Sequence, residues 1–273
     1  MGESIRIEQV AFTYPTGIRA LRGVSASISP GEAVAIVGEN GAGKTTLARH
    51  LNGLLHPTSG HVLIGDWDTS KHTVAQLATR VSYSFQNPDD QIFERTVRAE
   101  VTFGPRNLGF SADEMESAVQ DALSQVGLLS EIDHHPYDLQ LSQRKLLTLA
   151  ATLAMRTPIV ILDEPTTGQD APGVRRIAEI VEHLKAASHT LITITHDLDF
   201  AAEHFERVIV MAGGLIIADG PAHDVLAQES TLAAALVDPP QMVRLALALG
   251  FDSIPLTPEE FVLALKNKSG RSS

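Results

Sequence analysis

The first third of the chain alternates short apolar runs with glycine and proline. IRIEQVAFTY and LRGVSASIS place apolar and polar residues in turn, as half-buried strands do. An apolar run over residues 33–37 leads into a glycine-rich turn, and the following segment TTLARHLN has helical spacing. We therefore predict an N-terminal β part, then a buried strand followed by a helix that begins at Lys44.

The second half of the chain combines helical and strand patterns. Residues 111–153 are rich in Ala, Leu, Met and Gln, which predicts a mostly helical segment. Strand patterns return at IVILDE, TLITITHD, RVIVMAGG and LIIADG, with helical stretches between them. This order is typical of β-α-β units and predicts an α/β fold with a largely parallel sheet.

A change of pattern after Pro221 marks a helical tail. DPPQMVRLALALG has prolines ahead of its first turn, and TPEEFVLALK offers a capping box of Thr257 and Glu260. We predict a main domain over residues 1–227, with a helical subdomain at about 87–153. Residues 228–273 form a small helical extension, and its polar tip KNKSGRSS is predicted to be disordered.

Charge and composition narrow the possible partners. The 273 residues include 33 acidic and 21 basic side chains, and the net charge of -12 disfavours nucleic acid and anionic lipid. Cysteine is absent, which excludes disulfides and thiolate metal sites. No apolar run approaches the roughly 18 residues of a membrane span. We expect a cytoplasmic protein that carries no lipid anchor and does not insert into the bilayer.

One motif has the spacing of a phosphate-binding loop. The pattern G-x-x-x-x-G-K-[ST] lies between the apolar strand and the predicted helix, where such a loop is required. Backbone N–H groups of the loop would wrap the phosphates of ATP, Lys44 would reach the β and γ phosphates, and the Thr45 hydroxyl would ligate Mg²⁺. The predicted nucleotide-binding residues are Gly38, Glu39, Asn40, Gly41, Ala42, Gly43, Lys44, Thr45 and Thr46.

Two later strands end in residues suited to phosphate chemistry. Asp163 and Glu164 follow the run IVIL, at the strand end where α/β sheets bind ligands. Asp163 would hold Mg²⁺, and Glu164 would accept a proton from the attacking water. His196 follows LITIT and could orient the γ-phosphate, although a lone histidine at a strand end is usually structural.

These motifs, over residues 5–221, resemble the ATPase subunits of ABC transporters, whose fold is a P-loop NTPase cassette. The resemblance favours the functional role of His196. It also implies that Tyr14 stacks on adenine, for which the alternative is an ordinary strand tyrosine. Gln86 matches the glutamine that contacts magnesium and faces the membrane subunit. Asp170 matches an aspartate that signals across a dimer interface.

Two further segments are similar to energy-coupling factor (ECF) transporters for vitamins and transition metals. They are FQNPDDQIF, at residues 85–93, and VTFGP, at residues 101–105, and the tail at residues 238–261 resembles the C-terminal extension of that group. The resemblance implies two ATPases on the cytoplasmic face of the membrane, a transmembrane coupling protein and a substrate-binding membrane subunit. For the tail, the alternative is a helical packing lid.

One element departs from the family pattern. The family reads Leu-Ser-Gly-Gly-Gln at a helix start that approaches the partner's ATP, whereas this chain has Leu139, Gln140, Leu141, Ser142 and Gln143. An amide replaces the serine hydroxyl, and an isobutyl group replaces a glycine where backbone should approach closely. We therefore predict a heterodimer in which this chain weakens its partner's ATP site through Gln140 and Leu141, although Gln140 and Ser142 still face the nucleotide.

Two other functions remain open on the sequence. A soluble cassette ATPase of DNA repair would carry long coiled-coil insertions and one of translation would carry two cassettes, and neither feature is present. The altered element at Leu139 to Gln143 also fits a regulatory cassette that hydrolyses ATP weakly or not at all.

Overall fold

The computed structural model describes the backbone of residues 2–251 and 254–270. The strands are β1 (Ile5–Thr13), β2 (Arg19–Ile28), β3 (Ala33–Val37), β4 (Ser59–Ile64), β5 (Trp67–Asp68), β6 (Val81–Ser84), β7 (Ile159–Asp163), β8 (Thr190–Ile194), β9 (Arg207–Ala212) and β10 (Leu215–Pro221). The helices are α1 (Lys44–Leu51), α2 (Val74–Leu77), α3 (Val97–Asn107), α4 (Ala112–Val126), α5 (Leu141–Ala154), α6 (Ala171–Ala186), α7 (Leu198–His204), α8 (Ala222–Leu226), α9 (Glu229–Ala234), α10 (Gln241–Ala248) and α11 (Pro258–Gly270).

The central sheet has six strands in the order β10-β9-β3-β8-β7-β6. All neighbours pair in parallel except β9 and β10, which form an antiparallel hairpin. The carboxyl ends of β3, β7 and β8 therefore meet at one edge, which is where such sheets bind ligands. The predicted parallel sheet is confirmed, and this edge receives the phosphate loop, Asp163 and His196.

A second sheet contains the N-terminal strands. It is antiparallel, in the order β2-β1-β4-β5. At its far end the Trp67 ring stacks on His72 with centroids 4.2 Å apart, and the Arg80 guanidinium lies 3.9 Å from the Trp67 centroid. These two contacts pack the indole at the edge of the small sheet.

Alternation along the buried strands divides the core in two. Val34 and Ile36 of β3 point toward the antiparallel sheet and α1, where they join a cluster with Ile5 and Leu47. Ala35 and Val37 point to the opposite face, toward a larger cluster formed with helices α4 to α8. Since successive strand residues face opposite sides, one strand anchors both layers and fixes the loop that follows it.

Helices α3 to α5 lie in the region, at about residues 87–153, where a helical subdomain is predicted. Ser111 caps α4 by accepting the Glu114 N–H, and Gly127 ends that helix in the left-handed region at φ 72. The strand β6, just before this subdomain, is not apparent from the sequence pattern, because all four of its residues are buried and show no alternation.

The C-terminal tail packs on the cassette. Leu232, Val243 and Leu256 are buried in the same cluster as the central sheet, and the Gln241 N–H donates to Asp199 Oδ1 at 2.7 Å. The Thr257 hydroxyl accepts the Glu260 N–H at 3.3 Å, as the predicted capping box requires. Helix α11 ends at Gly270, within the tip for which disorder is predicted, and residues 271–273 lie outside the described part.

Candidate nucleotide site

The loop between β3 and α1 has a backbone that only glycine fits at two points. Gly38 has φ 149 and Gly43 has φ 103, in the region that disfavours side chains. A Cβ at Gly38 would lie 2.1 Å from the Met211 carbonyl oxygen, and one at Gly43 would lie 2.6 Å from that of Ala20. The loop is therefore held against neighbouring backbone, and the helix begins at Lys44 as predicted.

Lys44 is buried inside this loop. Its ammonium donates to the carbonyl oxygens of Gly38 at 2.7 Å and Glu39 at 2.9 Å. Burial lowers the pKa of Lys44, and the negative charges of Glu164, Asp163 and Glu39 oppose that shift. The cation is thus held in the loop and faces the two strand-end carboxylates.

Asp163 is placed beside the first turn of α1. Its Oδ1 accepts from the Thr45 hydroxyl at 3.3 Å, and its Oδ2 accepts from the Tyr83 hydroxyl at 2.6 Å. Burial raises the pKa of Asp163, while the Tyr83 and Thr45 hydrogen bonds favour the ionised form. Asp163 and Thr45 thus form a pair of oxygen donors of the kind that Mg²⁺ prefers.

No group of three or more His, Asp or Glu side chains suited to a metal occurs among the described residues. A site with few protein ligands is typical of Mg²⁺, which keeps waters and takes further oxygens from substrate phosphates. Thr45 and Asp163 therefore fit Mg²⁺ bound together with a nucleotide.

Glu164 has an unusual backbone conformation and a carboxylate that is hydrogen-bonded through Oε2. Its φ is 52, a left-handed conformation that costs a non-glycine residue free energy and is found mainly at functional sites. Glu164 Oε2 accepts from His196 Nδ1 at 2.7 Å and from the Thr167 hydroxyl at 3.2 Å. The Glu164 side chain is buried, whereas that of His196 is 56% exposed. The pair therefore joins a buried carboxylate to an imidazole that is open to solvent.

Gln86 and Tyr14 lie at the margins of the site. Gln86 is exposed and borders a small cavity that Asp163, Glu164 and Lys145 also line. The Tyr14 hydroxyl lies 3.0 Å from the Thr46 hydroxyl, which ties the end of β1 to α1. Tyr14 is half-buried, so part of its ring is accessible.

Asp170 caps a helix in this structure. Its carboxylate accepts the Gly173 N–H at 2.9 Å at the start of α6, and the loop before it turns toward α5. In that loop, Gln169 donates to the Ser142 carbonyl oxygen at 3.1 Å. The proposed dimer-signalling loop is thus hydrogen-bonded to the altered element within one chain.

The altered element at the start of α5 is open. Leu141 is 51% exposed, Gln140 is exposed, and the Gln140 N–H donates to Gln143 Oε1 at 3.0 Å. Ser142 stands where the family pattern has its second glycine, so both glycines of the element are replaced. No hydrogen bond between the described residues joins Gln140 or Ser142 to the phosphate loop, so the two regions do not form one site within the chain.

Three residues of the site are not apparent from sequence motifs. They are Tyr83, which bonds Asp163, Gln169, which bonds Ser142, and Lys145, whose ammonium donates to the Thr167 carbonyl. Burial lowers the pKa of Lys145, and the nearby Glu164 opposes that shift. None of the three is itself a motif residue. Their only signal in the sequence is that each lies close in the chain to a motif.

The fold and the site together define a nucleotide-binding cassette of the P-loop class. A family model described as ABC transporter matches residues 21–167. A putative ABC transporter ATP-binding protein of Methanosarcina acetivorans is 42% identical over 245 residues, and the match covers 90% of this chain. The match covers 40% of that relative, so the chain spans less than half of its length.

Two further relatives match most of both chains. The energy-coupling factor transporter ATP-binding protein EcfA of Methanothermobacter thermautotrophicus is 38% identical over 263 residues, covering 94% of this chain and 84% of EcfA. The structure of cbiO1 from Clostridium perfringens, part of the cbiONQ complex, aligns with a TM-score of 0.74 and 33% identity, covering 89% of this chain and 98% of cbiO1.

This chain belongs to the ABC transporter family and is an ATP-binding cassette of the ATPase type. The predicted fold class is confirmed, as is the resemblance to ECF-type ATPase subunits. Among the described residues, no helix is both long enough and apolar enough to cross a membrane.

Proposed function

We propose that this chain binds Mg²⁺ and ATP and energises an ECF-type importer for a vitamin or a transition-metal ion. The observation that carries the proposal is the meeting of Lys44, Asp163 and the Glu164–His196 pair at one sheet edge. The relative named EcfA and the structural neighbour from the cbiONQ complex support the choice of transporter class.

In this proposal each strand-end residue has a separate task. The Lys44 ammonium exchanges its loop carbonyl partners for β- and γ-phosphate oxygens, and the loop N–H groups bind the same phosphates. Glu164 accepts the proton of the attacking water. When bound, Mg²⁺ neutralises charge on the phosphate oxygens, and Thr45 and Asp163 hold it.

His196 keeps Glu164 in place and reaches the γ-phosphate from its exposed side. Because Glu164 Oε2 is a carboxylate oxygen, the proton of the 2.7 Å hydrogen bond belongs to His196 Nδ1. A neutral imidazole with its proton on Nδ1 has only an acceptor at Nε2. For His196 to donate to a phosphate oxygen, either Nε2 must gain a proton, or Nδ1 must release Glu164 and turn to the phosphate. Such a change of hydrogen bonds would couple binding of the γ-phosphate to the position of the Glu164 carboxylate.

The proposed contact with the transmembrane coupling protein lies on the helical subdomain next to Gln86. Phe93 is 60% exposed, and its ring packs edge-on against Phe103 with centroids 4.7 Å apart. Arg106 lies 5.5 Å from the Phe103 centroid. Exposed aromatic and arginine side chains are enriched in protein interfaces, which supports docking at this surface. The chain itself would then sit at the cytoplasmic face of the membrane without entering it.

We also propose a second cassette as partner, in a heterodimer. Gln140, Leu141 and Ser142 would face the partner's nucleotide, and a homodimer would put their defect in both sites. A weakly hydrolysing regulatory cassette is the second candidate, and the exposed, altered start of α5 is the observation that favours it.

The tail is proposed to stabilise that pairing. Helix α11 exposes Val262 and Leu263, and Leu236 and Leu249 are exposed in the segments before it. Substituting both Val262 and Leu263 by Glu should weaken association with the partner cassette, measured by analytical ultracentrifugation, without altering the thermal unfolding of the isolated chain. Equal association of variant and wild type would make the tail a packing lid.

Purification of the tagged chain from membranes of its host, in mild detergent, tests the proposed function. We expect a second cassette, a transmembrane coupling protein and a small substrate-binding membrane protein, together with Mg²⁺-dependent ATP hydrolysis. Recovery of the chain alone from the soluble fraction, or with nucleic-acid-processing proteins, would contradict it.

A further inference from the structure

Tyr83 is a buried residue with a polar contact that no sequence motif accounts for. It lies on β6, beside β7, and only 8% of it is exposed. Its hydroxyl donates to Asp163 Oδ2 at 2.6 Å, and its ring packs edge-on against Phe85 with centroids 4.8 Å apart. The tyrosine thus connects the strand that leads to Gln86 with the carboxylate beside the phosphate loop.

A buried tyrosine normally finds a hydrogen-bond partner, so its bond alone indicates nothing about function. The indication of function comes from the acceptor, which is the Asp163 carboxylate beside the phosphate loop. Asp163 shares its two oxygens between two elements, with Oδ2 toward Tyr83 and Oδ1 toward the Thr45 hydroxyl at 3.3 Å. Rotating the carboxylate plane away from this orientation would break both contacts, so the tyrosine helps to hold one oxygen toward α1.

Among the described residues, the Tyr83 hydroxyl is the donor recorded at Oδ2 of Asp163. Burial raises the pKa of both Tyr83 and Asp163, and the charge of Arg49 on α1 opposes both shifts. Yet no hydrogen bond from its guanidinium to Asp163 occurs among the described contacts, and its Nε is buried without a partner. Tyr83 is therefore the donor that orients Oδ2.

We propose that Tyr83 is a positioning residue for the divalent cation, holding Asp163 so that Oδ1 and the Thr45 hydroxyl face the ion bound with ATP. This inference rests on the proposed function, since it assumes that the cassette binds Mg²⁺ with the nucleotide. Partners behind metal-binding carboxylates fix their orientation, and their loss typically weakens metal affinity by about 10- to 100-fold.

The test compares the full-length chain with its Tyr83→Phe and Ser82→Ala variants. Tyr83→Phe keeps the ring against Phe85 and removes only the hydroxyl. Ser82→Ala removes a buried hydroxyl from the same strand, where Ser82 accepts from Thr157 Oγ1 at 2.8 Å and is not in contact with Asp163 in the described structure. Binding of a slowly hydrolysed ATP analogue is measured in EDTA and across a Mg²⁺ titration, and again with Mn²⁺ followed by electron paramagnetic resonance.

We expect Tyr83→Phe to bind the analogue in EDTA as the wild type does and to need about 10- to 100-fold more Mg²⁺ or Mn²⁺ for half-saturation. Ser82→Ala should match the wild type in both measurements. A wild-type Mg²⁺ titration for Tyr83→Phe would overturn the inference, and so would loss of binding in EDTA, which would show a general structural role. A wild-type chain that binds no nucleotide would instead contradict the proposed function.

Discussion

The edge of the central sheet and the start of helix α5, the two regions that we propose to contact ATP, are built very differently. At the edge, Lys44, Asp163 and Glu164 are buried, and each is held by at least two hydrogen bonds. At the start of α5, Gln140 and Leu141 are exposed, and side chains stand where the family pattern has glycines.

This difference predicts which of the two ATP sites of a dimer is impaired. A cassette dimer builds each site from the phosphate loop of one chain and the α5 element of the other. A helix N-terminus binds phosphate through free N–H groups, which added side chains obstruct. We therefore expect catalysis at this chain's own phosphate loop and a weakened ATP site in the proposed partner.

Loss of the Lys44 ammonium should have the largest effect on ATP binding. Lys44→Ala should weaken ATP binding by about 10²-fold or more, because each hydrogen bond from a charged group contributes about 1.5–3 kcal/mol. Isothermal titration calorimetry with ATP measures this. Lys71→Ala is the control, since the Lys71 side chain is exposed and its described contact is a salt bridge with Asp68 at 3.4 Å. Equal affinities of the two variants would exclude Lys44 from phosphate binding.

Glu164→Gln should separate binding from hydrolysis. Loss of a general base slows turnover by on the order of 10² to 10⁴, while the amide keeps the size of the side chain and leaves ATP affinity unchanged. Phosphate release and nucleotide binding are measured on the same preparation. Glu182→Gln, at an exposed position of α6, is the control. Turnover that stays at the wild-type rate in Glu164→Gln would remove this residue from its role.

Restoring the family pattern at the start of α5 tests whether this element limits turnover at the partner's site. The changes are Gln140→Ser, Leu141→Gly and Ser142→Gly, placed in the Glu164→Gln background so that only the partner's site can turn over. We expect that site to accelerate by about 10²-fold, the typical contribution of a donor aimed at a developing charge. The conservative set Gln140→Asn, Leu141→Ile and Ser142→Thr should have no such effect. An unchanged rate after restoration would mean that this element does not limit the partner's site.

The smallest expected effect concerns the link between the two regions. Gln169→Ala removes the bond to the Ser142 carbonyl, and one neutral hydrogen bond contributes about 0.5–1.5 kcal/mol to the free energy of unfolding. Urea denaturation of this variant and of Gln120→Ala, a control that removes an exposed hydrogen bond to Glu116 within α4, measures the difference. A Gln169→Ala variant as stable as the wild type would show that the link is not maintained in solution.

The sequence predicts those parts of the site that are contiguous in the chain. Glycine spacing locates Lys44, and strand-ending polar residues locate Asp163 and His196, because parallel strands finish at the same edge. Tyr83 and Lys145 act through side chains that meet across separate elements, and no periodicity encodes such a meeting. The positive φ of Glu164 and the helix cap formed by Asp170 likewise depend on the folded backbone.

The central claim is that this chain's phosphate loop forms the active site of an asymmetric pair. The most direct measurement compares Glu164→Gln in this chain with the equivalent change in its partner, each in the assembled complex, by steady-state ATP hydrolysis. We predict that Glu164→Gln in this chain removes nearly all turnover, whereas the equivalent change in the partner removes little. A larger loss from the partner's change, or equal losses from both, would contradict the asymmetry inferred from Gln140 and Leu141.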